Sequence, residues 1–342
     1  MKLLITTQVV DKNHPILGFF HRWLEEFAKY CEEVHVVCLY KGEYDLPQNV
    51  HVYSLGKEEG VGKFEYIRRF YTYIWQLRKR YDSVFCHMNE EYVLMGGLFW
   101  RLYGKRIGHW YMHGVVKWSL YVSEKLAHVV FSGSKESYRI KSKKLRITGH
   151  GIDTTRFAPQ SKEKTYDLLT VGRITPSKNL DMLIEVLKQV REKQNVSLSI
   201  IGSLEMPGDQ VYIESLRKKI AEYGLTDYVH FLGAIPNYEL PGHIARARVF
   251  VQAAQNGSLD KALLEPLAME VSLVTCAEGA QSLPLGDWQV KDVNSFSDRV
   301  VGILQSDTTA RSHELALFVK KNHSLESLIP YIVRTLEKTK SV

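Results

Sequence analysis

Apolar and polar positions along the 342-residue chain follow two alternating periods. Short runs rich in Val, Ile and Leu recur, and between them lie stretches whose apolar residues return every three or four positions. That is the pattern of parallel strands covered by amphipathic helices. The runs at 2–7, 33–40, 50–55, 83–88, 106–113, 128–134 and 145–149 predict strands, and helices are predicted within 11–30 and 63–82. The cycle then restarts. Beyond a polar segment at 151–165 with the look of a linker, strands are predicted at 166–173, 197–203, 228–234, 248–254 and 272–277, with helices at 179–193 and 210–224. Two successive α/β units of similar size, joined near residue 160, predict two Rossmann-like domains facing one another across a cleft. No short repeat and no low-complexity tract interrupts them.

Composition narrows the class. With 45% hydrophobic and 24% charged residues the chain reads as a soluble globular protein, long enough for two domains. No stretch approaches the roughly 20 uninterrupted apolar residues of a membrane span, and MKLLITTQVVDKNHP turns polar too soon for a signal peptide, so a cytoplasmic protein is expected. Cys31, Cys38, Cys86 and Cys276 lack the paired spacing of a zinc site or disulfide framework and read as reduced core residues. A formal charge of +7 and a pI near 9.0 ask for an anionic partner: a phosphorylated substrate, a membrane surface or nucleic acid.

Sheets of this kind bind ligands beyond the carboxyl ends of their strands, against helix N-termini. The strand at 166–171 leads into GRITPSKN, with Gly172 and Arg173 at the exit, Lys178 five positions on, and Ser177 or Asn179 able to cap the next helix. Two cations beside a helix start form either a phosphate pocket or a solvated charged loop. A second junction, QNGSLD at 255–260 running into KALLEPLAME, brings further free backbone N–H groups to the same face and favours the phosphate.

These residues resemble the donor domain of retaining GT-B glycosyltransferases of the family-four type, the group 1 glycosyl transferases. VGRITPSKNLDMLIEVL is similar to their Gly-Arg, four residues, Lys pattern, and ITGHGIDTTRFAP to their interdomain connection. LLEPLAMEVSLVT resembles the helix that ends their Glu-x7-Glu motif, HFLGAIPNYEL their nucleotide-base loop, and NHSLESLIPYIVRTLE their last helix, which returns to the first domain. The likeness is strongest from about 145 to 280. It implies an acceptor domain at 1–157, a donor domain at 158–322 and a returning helix at 323–342.

What it implies for the site is specific. A nucleoside-diphosphate sugar is the expected co-substrate, with Arg173 and Lys178 stabilising charge on the leaving diphosphate and Glu265 accepting hydrogen bonds from both ribose hydroxyls. Donor contacts are expected from Gly18, Gly172, Gly202, Gly233, Ala234, Ile235, Gly257, Ser258, Leu259, Asp260, Lys261, Ala262 and Leu264, with Leu263 in the same turn. Eight positions before Glu265 stands Gly257, where the family motif has its first glutamate. The contact of that glutamate to a sugar hydroxyl is either made by Asp260 or absent, and Asp260 reads equally well as a cap or dipole partner of its helix.

In the first half, His14, Gly18 and Phe19 lie between the first strand and helix, where the family often has a glycine pair and this chain has Gly18 alone. His113, ending the predicted strand GHWYMH, stands where many members have a histidine facing the donor sugar and is expected to be catalytic, whereas His109 is expected to be structural. His87, Asn89, Glu90 and Glu91 are either acceptor contacts or a capped helix start, and Ser134 is expected to be an N-cap. His14, Phe19, His87 and Asn89 are the expected acceptor set. The implied reaction is displacement at the anomeric carbon with retention, a phosphate oxygen of the leaving group taking the acceptor proton. With no Asp-x-Asp sequence in the chain, neither a metal nor another cofactor is expected.

The acceptor is expected to be a glycan or glycolipid hydroxyl. The helix in 63–82 has Phe64, Ile67, Tyr71, Ile74 and Leu77 on one side and Arg68, Arg69, Arg78, Lys79 and Arg80 around the edges, and YRIKSKKLR adds a second basic cluster. That helix is either a core helix with a solvated basic face or a contact to an anionic membrane surface on the inner face of the plasma membrane. No nucleic-acid-binding module is recognisable. Two other readings stand beside the transferase: a nucleotide-sugar-binding module of weak catalysis, motivated by Gly257, and another GT-B enzyme such as a nucleotide-sugar epimerase. Donor base and sugar are not readable from these residues.

Overall fold

A computed structural model describes residues 1–204, 207–255 and 257–339. It divides into two compact units, Met1–Asp153 with His323–Val342, and Thr154–Asn322. The elements of the first run β1 (Lys2–Val10), α1 (Phe19–Tyr30), β2 (Glu33–Lys41), β3 (Val50–Ser54), α2 (Lys63–Gln76), β4 (Ser83–His87), α3 (Glu90–Leu102), β5 (Arg106–Trp110), α4 (Trp118–Leu126), β6 (Val129–Ser132) and β7 (Leu145–Ile147). The second follows with β8 (Tyr166–Val171), α5 (Leu180–Arg191), β9 (Leu198–Ile201), α6 (Pro207–Glu222), β10 (Val229–Gly233), α7 (Leu240–Ile244), β11 (Ala247–Gln252), α8 (Lys261–Ala268), β12 (Ser272–Thr275), α9 (Val293–Gln305) and α10 (Thr309–His323). The last helix, α11 (Leu325–Lys338), rejoins the first unit.

Both sheets are wholly parallel. Unit 1 has the order β3-β2-β1-β4-β5-β6-β7, and unit 2 the order β10-β9-β8-β11-β12. Each order reverses once, between β1 and β4 and between β8 and β11, and the loops leaving those strands frame a crevice. Central strands are buried on both faces, which explains their near-continuous apolar reading: all five residues of β4 and all four of β9 are buried. In unit 1 two cores flank the sheet. One joins Phe20, Trp23 and Phe27 of α1 to Leu325, Ile329, Ile332 and Leu336 of α11. The other holds Phe70 and Ile74 of α2, Val93 and Trp100 of α3, and Leu120 of α4.

Every predicted strand is present, yet several local expectations are corrected. The strand expected to run to His113 stops at Trp110, leaving His113 exposed in the loop beyond. The start of the expected linker belongs to unit 1: Ile152 pairs with Ser324, the Trp23 indole donates to the Gly151 carbonyl at 3.2 Å, and Arg22 pairs with Asp153 at 2.9 Å. Ser134 opens no helix, and its hydroxyl accepts from the Ser137 amide at 3.3 Å within a turn. In α2 the expected apolar face is only partly buried, Ile74 and Leu77 lying in the core and the rest outside it. Phe70 and Ile74 point into the core while Phe64, Ile67 and Tyr71 are exposed, because the helix carries two apolar stripes and the sheet covers only one.

Candidate functional site

The crevice of unit 2 is built from strand exits held close by glycine. β8 ends at Val171, and the Gly172 amide donates to the Ile201 carbonyl at 2.9 Å while the Gly202 amide donates to the Gly233 carbonyl at 2.9 Å. A Cβ on Gly202 would stand 1.9 Å from the Gly172 carbonyl oxygen, so the two exits meet backbone to backbone. Gly233 closes β10 at φ +77°, with Ala234 exposed and Ile235 half-buried after it. Lys178 ends a short 3-10 turn, Pro176–Lys178, and its side chain lies over Gly172, whose added Cβ would be 3.2 Å from the Lys178 Cε. The expected cap of α5 is absent. Asn179 takes the left-handed conformation at φ +50° with no side-chain cap bond, and Ser177 lies inside the turn.

The second junction meets the first. The Gln255 amide donates to the Ser177 carbonyl at 2.9 Å, and the Lys178 ammonium forms an ion pair with Asp260. Asp260 occupies the N-cap position of α8 without capping it, which corrects the cap reading: its carboxylate is turned to Lys178 and accepts from the Gln252 side-chain Nε2 at 3.4 Å. Gly257 adopts φ +64°, and Ser258 is packed so tightly on Gly279 that a Cβ there would fall 2.1 Å from the Ser258 carbonyl oxygen. Gln252 and Gly279 are site residues that sequence reasoning missed, because each acts through a contact distant along the chain.

Every residue of α8 from Ala262 to Ala268 is buried. Leu259, Leu263 and Leu264 are therefore core side chains, and what Leu264 can offer a ligand is its backbone. Glu265 is buried too, and its carboxylate accepts no hydrogen bond among the described residues. Burial raises its pKa above the ordinary carboxylate value and lowers that of Lys261 one turn earlier. Arg173 is exposed at the exit of β8 and forms no ion pair among the described residues.

Unit 1 contains its own cavity, about 290 Å³, at the exits of β4 and β5. It brings together three of the expected residues, His87, Asn89 and His113, with Glu90, Glu91 and Lys117. His87 ends β4, stacks on Phe20 at 4.0 Å and bonds Thr7 Oγ1 through Nδ1 at 3.1 Å. Met88 follows at φ +67°, a left-handed conformation rare for a side-chain-bearing residue. Asn89 starts α3 without a side-chain cap bond, so the capped-helix reading is corrected, and the buried Glu90 accepts from Ser119 Oγ at 2.9 Å. His113 accepts the Val115 amide on Nδ1 at 3.3 Å.

His14, Gly18 and Phe19 do not line this cavity. The His14 ring is folded back to accept the Ile16 and Leu17 amides at 3.2 and 3.1 Å, and Phe19 packs edge-on against Trp23. A Cβ on Gly18 would meet the His14 carbonyl oxygen at 2.6 Å, so that glycine serves the turn. His109 is fully buried between Met88 and Ser123, and burial lowers its pKa to about 4.

Two Rossmann-type parallel sheets, the second with a cationic strand exit against a helix opening, define the GT-B class of α/β protein. Across residues 151–295 the chain matches the glycosyl transferases group 1 family. It is 26% identical to the putative colanic acid biosynthesis glycosyltransferase WcaL of Escherichia coli K12 over 207 residues, 56% of this chain and 49% of that one. It is 33% identical to a GDP-mannose-dependent α-(1-6)-phosphatidylinositol monomannoside mannosyltransferase of Mycolicibacterium smegmatis over 112 residues, 29% of this chain and 28% of that one. The chain thus spans half or less of the length of these relatives. Among solved structures, Anabaena HepE in complex with UDP and glucose superposes with a TM-score of 0.79 at 15% identity, covering 99% of this chain and 100% of that one, and shares the fold.

Proposed function

We propose that the chain is a retaining glycosyltransferase that moves a hexose from a nucleoside-diphosphate sugar to a hydroxyl of a glycan or glycolipid, without a metal. The observation that carries this reading is the buried Glu265 carboxylate, which lacks a hydrogen-bond partner among the described residues and stands one turn into the helix whose opening holds Lys178. A buried acceptor left open calls for donors, and the two hydroxyls of a ribose supply them. Lys178, Arg173 and the backbone N–H groups opening α8 then take the diphosphate, and the glycines at 172, 202 and 233 allow it to approach the backbone. In the reaction the bond from C1 to the phosphate oxygen breaks as C1 bonds the acceptor oxygen on the same face. The acceptor proton passes to the departing phosphate. Lys178 and Arg173 stabilise the charge that develops there.

The cavity of unit 1 is the proposed acceptor site, with His113, His87 and Asn89 on its wall. Relatives support a hexose donor without agreeing on its base, one named as GDP-mannose-dependent and a structural neighbour solved with UDP and glucose. Four free cysteines, three of them buried, support a reducing compartment such as the cytoplasm. Calorimetric titration with UDP and GDP tests the donor site. One of them binds the wild type, and Glu265→Gln and Lys178→Ala each weaken it by about ten- to a hundredfold, the worth of charge-assisted hydrogen bonds. Binding of neither, or binding indifferent to both substitutions, would overturn the reading. Release of diphosphate that persists in EDTA, with the product's anomeric configuration read by NMR, tests metal independence and retention. Gly257 favours a second reading: binding without turnover over a broad panel of sugars would mark a binding module.

A further inference from the structure

The right-handed connections of unit 1 place α2, α3 and α4 together on one face of the sheet, and their inner sides share one core. Their outer side is the reverse of a soluble helix layer. On α2, Phe64, Ile67, Tyr71 and Trp75 recur at helical spacing and are all exposed, Phe64 by 81%. On α3, Leu98 and Leu102 stand one turn apart at 66% and 85% exposure, and on α4 Trp118 is 75% exposed beside Tyr121. The helices are in contact. The Trp75 ring lies 6.0 Å from Tyr103, the Tyr71 hydroxyl donates to the Met95 carbonyl at 3.0 Å, and Arg101 Nε donates to the Leu126 carbonyl at 2.8 Å. Exposed large apolar side chains gathered on three helices that touch one another mark a docking site.

Its rim is cationic. Lys63, Arg68, Lys79, Lys117 and Lys125 are exposed around it, and the Arg78 guanidinium sits 4.1 Å over the Trp75 ring. Of the acids on α2 and α3, Glu65 is ion-paired to Arg68 and Arg69, Glu90 is buried, and Glu91 is exposed. A second copy of the chain would set this rim against itself, like charge facing like. Anionic lipid headgroups complement it, and aromatic side chains between cations suit the interface of a bilayer. No described helix is long and apolar enough to cross a membrane.

We propose that the outer face of α2, α3 and α4 seats unit 1 on an anionic lipid leaflet. Val115 and Lys117 line the cavity of unit 1, and Trp118 follows directly on the apolar face, so docking brings the cavity mouth to the leaflet. The acceptor is then a glycan carried on a lipid, a narrowing that rests on the transferase reading; the docking itself does not.

Flotation with vesicles of equimolar phosphatidylcholine and phosphatidylglycerol tests it, against phosphatidylcholine alone. The full chain floats with the anionic vesicles and is released by high salt, and brominated acyl chains quench its tryptophan fluorescence. Leu98→Ser, Leu102→Ser and Trp118→Ser combined lower vesicle affinity by about tenfold or more, while the melting temperature and the nucleotide titration of unit 2 stay unchanged. The proposal is overturned if the wild type does not float or floats equally after the triple substitution. It is equally overturned if the wild type sediments as a dimer that the substitutions convert to monomer. Because nucleotide binding is read separately, loss of either result leaves the other standing.

Discussion

Lys178 and Asp260 put a question at the scale of single residues. The carboxylate of Asp260 pairs with the Lys178 ammonium, the group proposed to take the diphosphate. On that proposal an incoming diphosphate competes with a resident anion. Asp260→Asn is expected to tighten nucleoside-diphosphate binding by about fivefold, roughly 1 kcal/mol. If Asp260 instead serves as the sugar contact, the same variant leaves the diphosphate unchanged and weakens the sugar nucleotide, and titration with both ligands separates the outcomes. Gly202 gives a stability prediction. Its position accepts no Cβ beside the Gly172 carbonyl, so Gly202→Ala must push the β8 and β9 exits apart, at a cost of about 2–4 kcal/mol read by chemical denaturation. The positions of Gly172, Lys178 and Glu265 at the β8 exit and the α8 start were legible because each sits at a fixed offset from a strand or helix boundary. Gln252 and Gly279 were not, since their roles depend on Asp260 and Ser258, partners supplied by the fold.

At the scale of elements, burial decides more than propensity. The apolar residues of α2 fit two faces, and helical periodicity alone does not say which one a sheet covers. Phe70, Ile74 and Leu77 meet the core of β4 and its neighbours, which turns the Phe64 stripe outward. α11 is the opposite case: Leu325, Leu328, Ile329, Ile332, Val333 and Leu336 form one strongly patterned stripe and all are buried against α1 and the sheet. Ile332→Ala is expected to destabilise unit 1 by about 2–5 kcal/mol, the combined cost of lost transfer energy and a cavity, seen as a lower urea midpoint. Should the midpoint stay put, α11 does not close that core.

The whole molecule carries an acid sensitivity in its first unit. Burial lowers the pKa of His109, His128 and His323 to about 4, below the 6.5 of the exposed side chain. The unfolded chain therefore takes up protons first as pH falls through 6.5, and the folded chain follows only near 4. Stability is fully present above about pH 6.5 and declines toward pH 4, by up to about 1.4 kcal/mol per pH unit for each histidine. Melting temperature against pH checks this, and His109→Gln should make the decline shallower by about one proton's worth; an unchanged slope would refute the assignment. The sequence by itself determined the two α/β units, the strands of both sheets and the loops that leave their carboxyl ends, since these follow from the period of apolar residues and from local chain chemistry. Only the tertiary structure decided that Asp260 pairs with Lys178, that His87, Asn89 and His113 share one cavity, and that an aromatic face of α2 is left to solvent. Those outcomes depend on which distant segment packs against each residue, and periodicity along one segment contains no record of its neighbour.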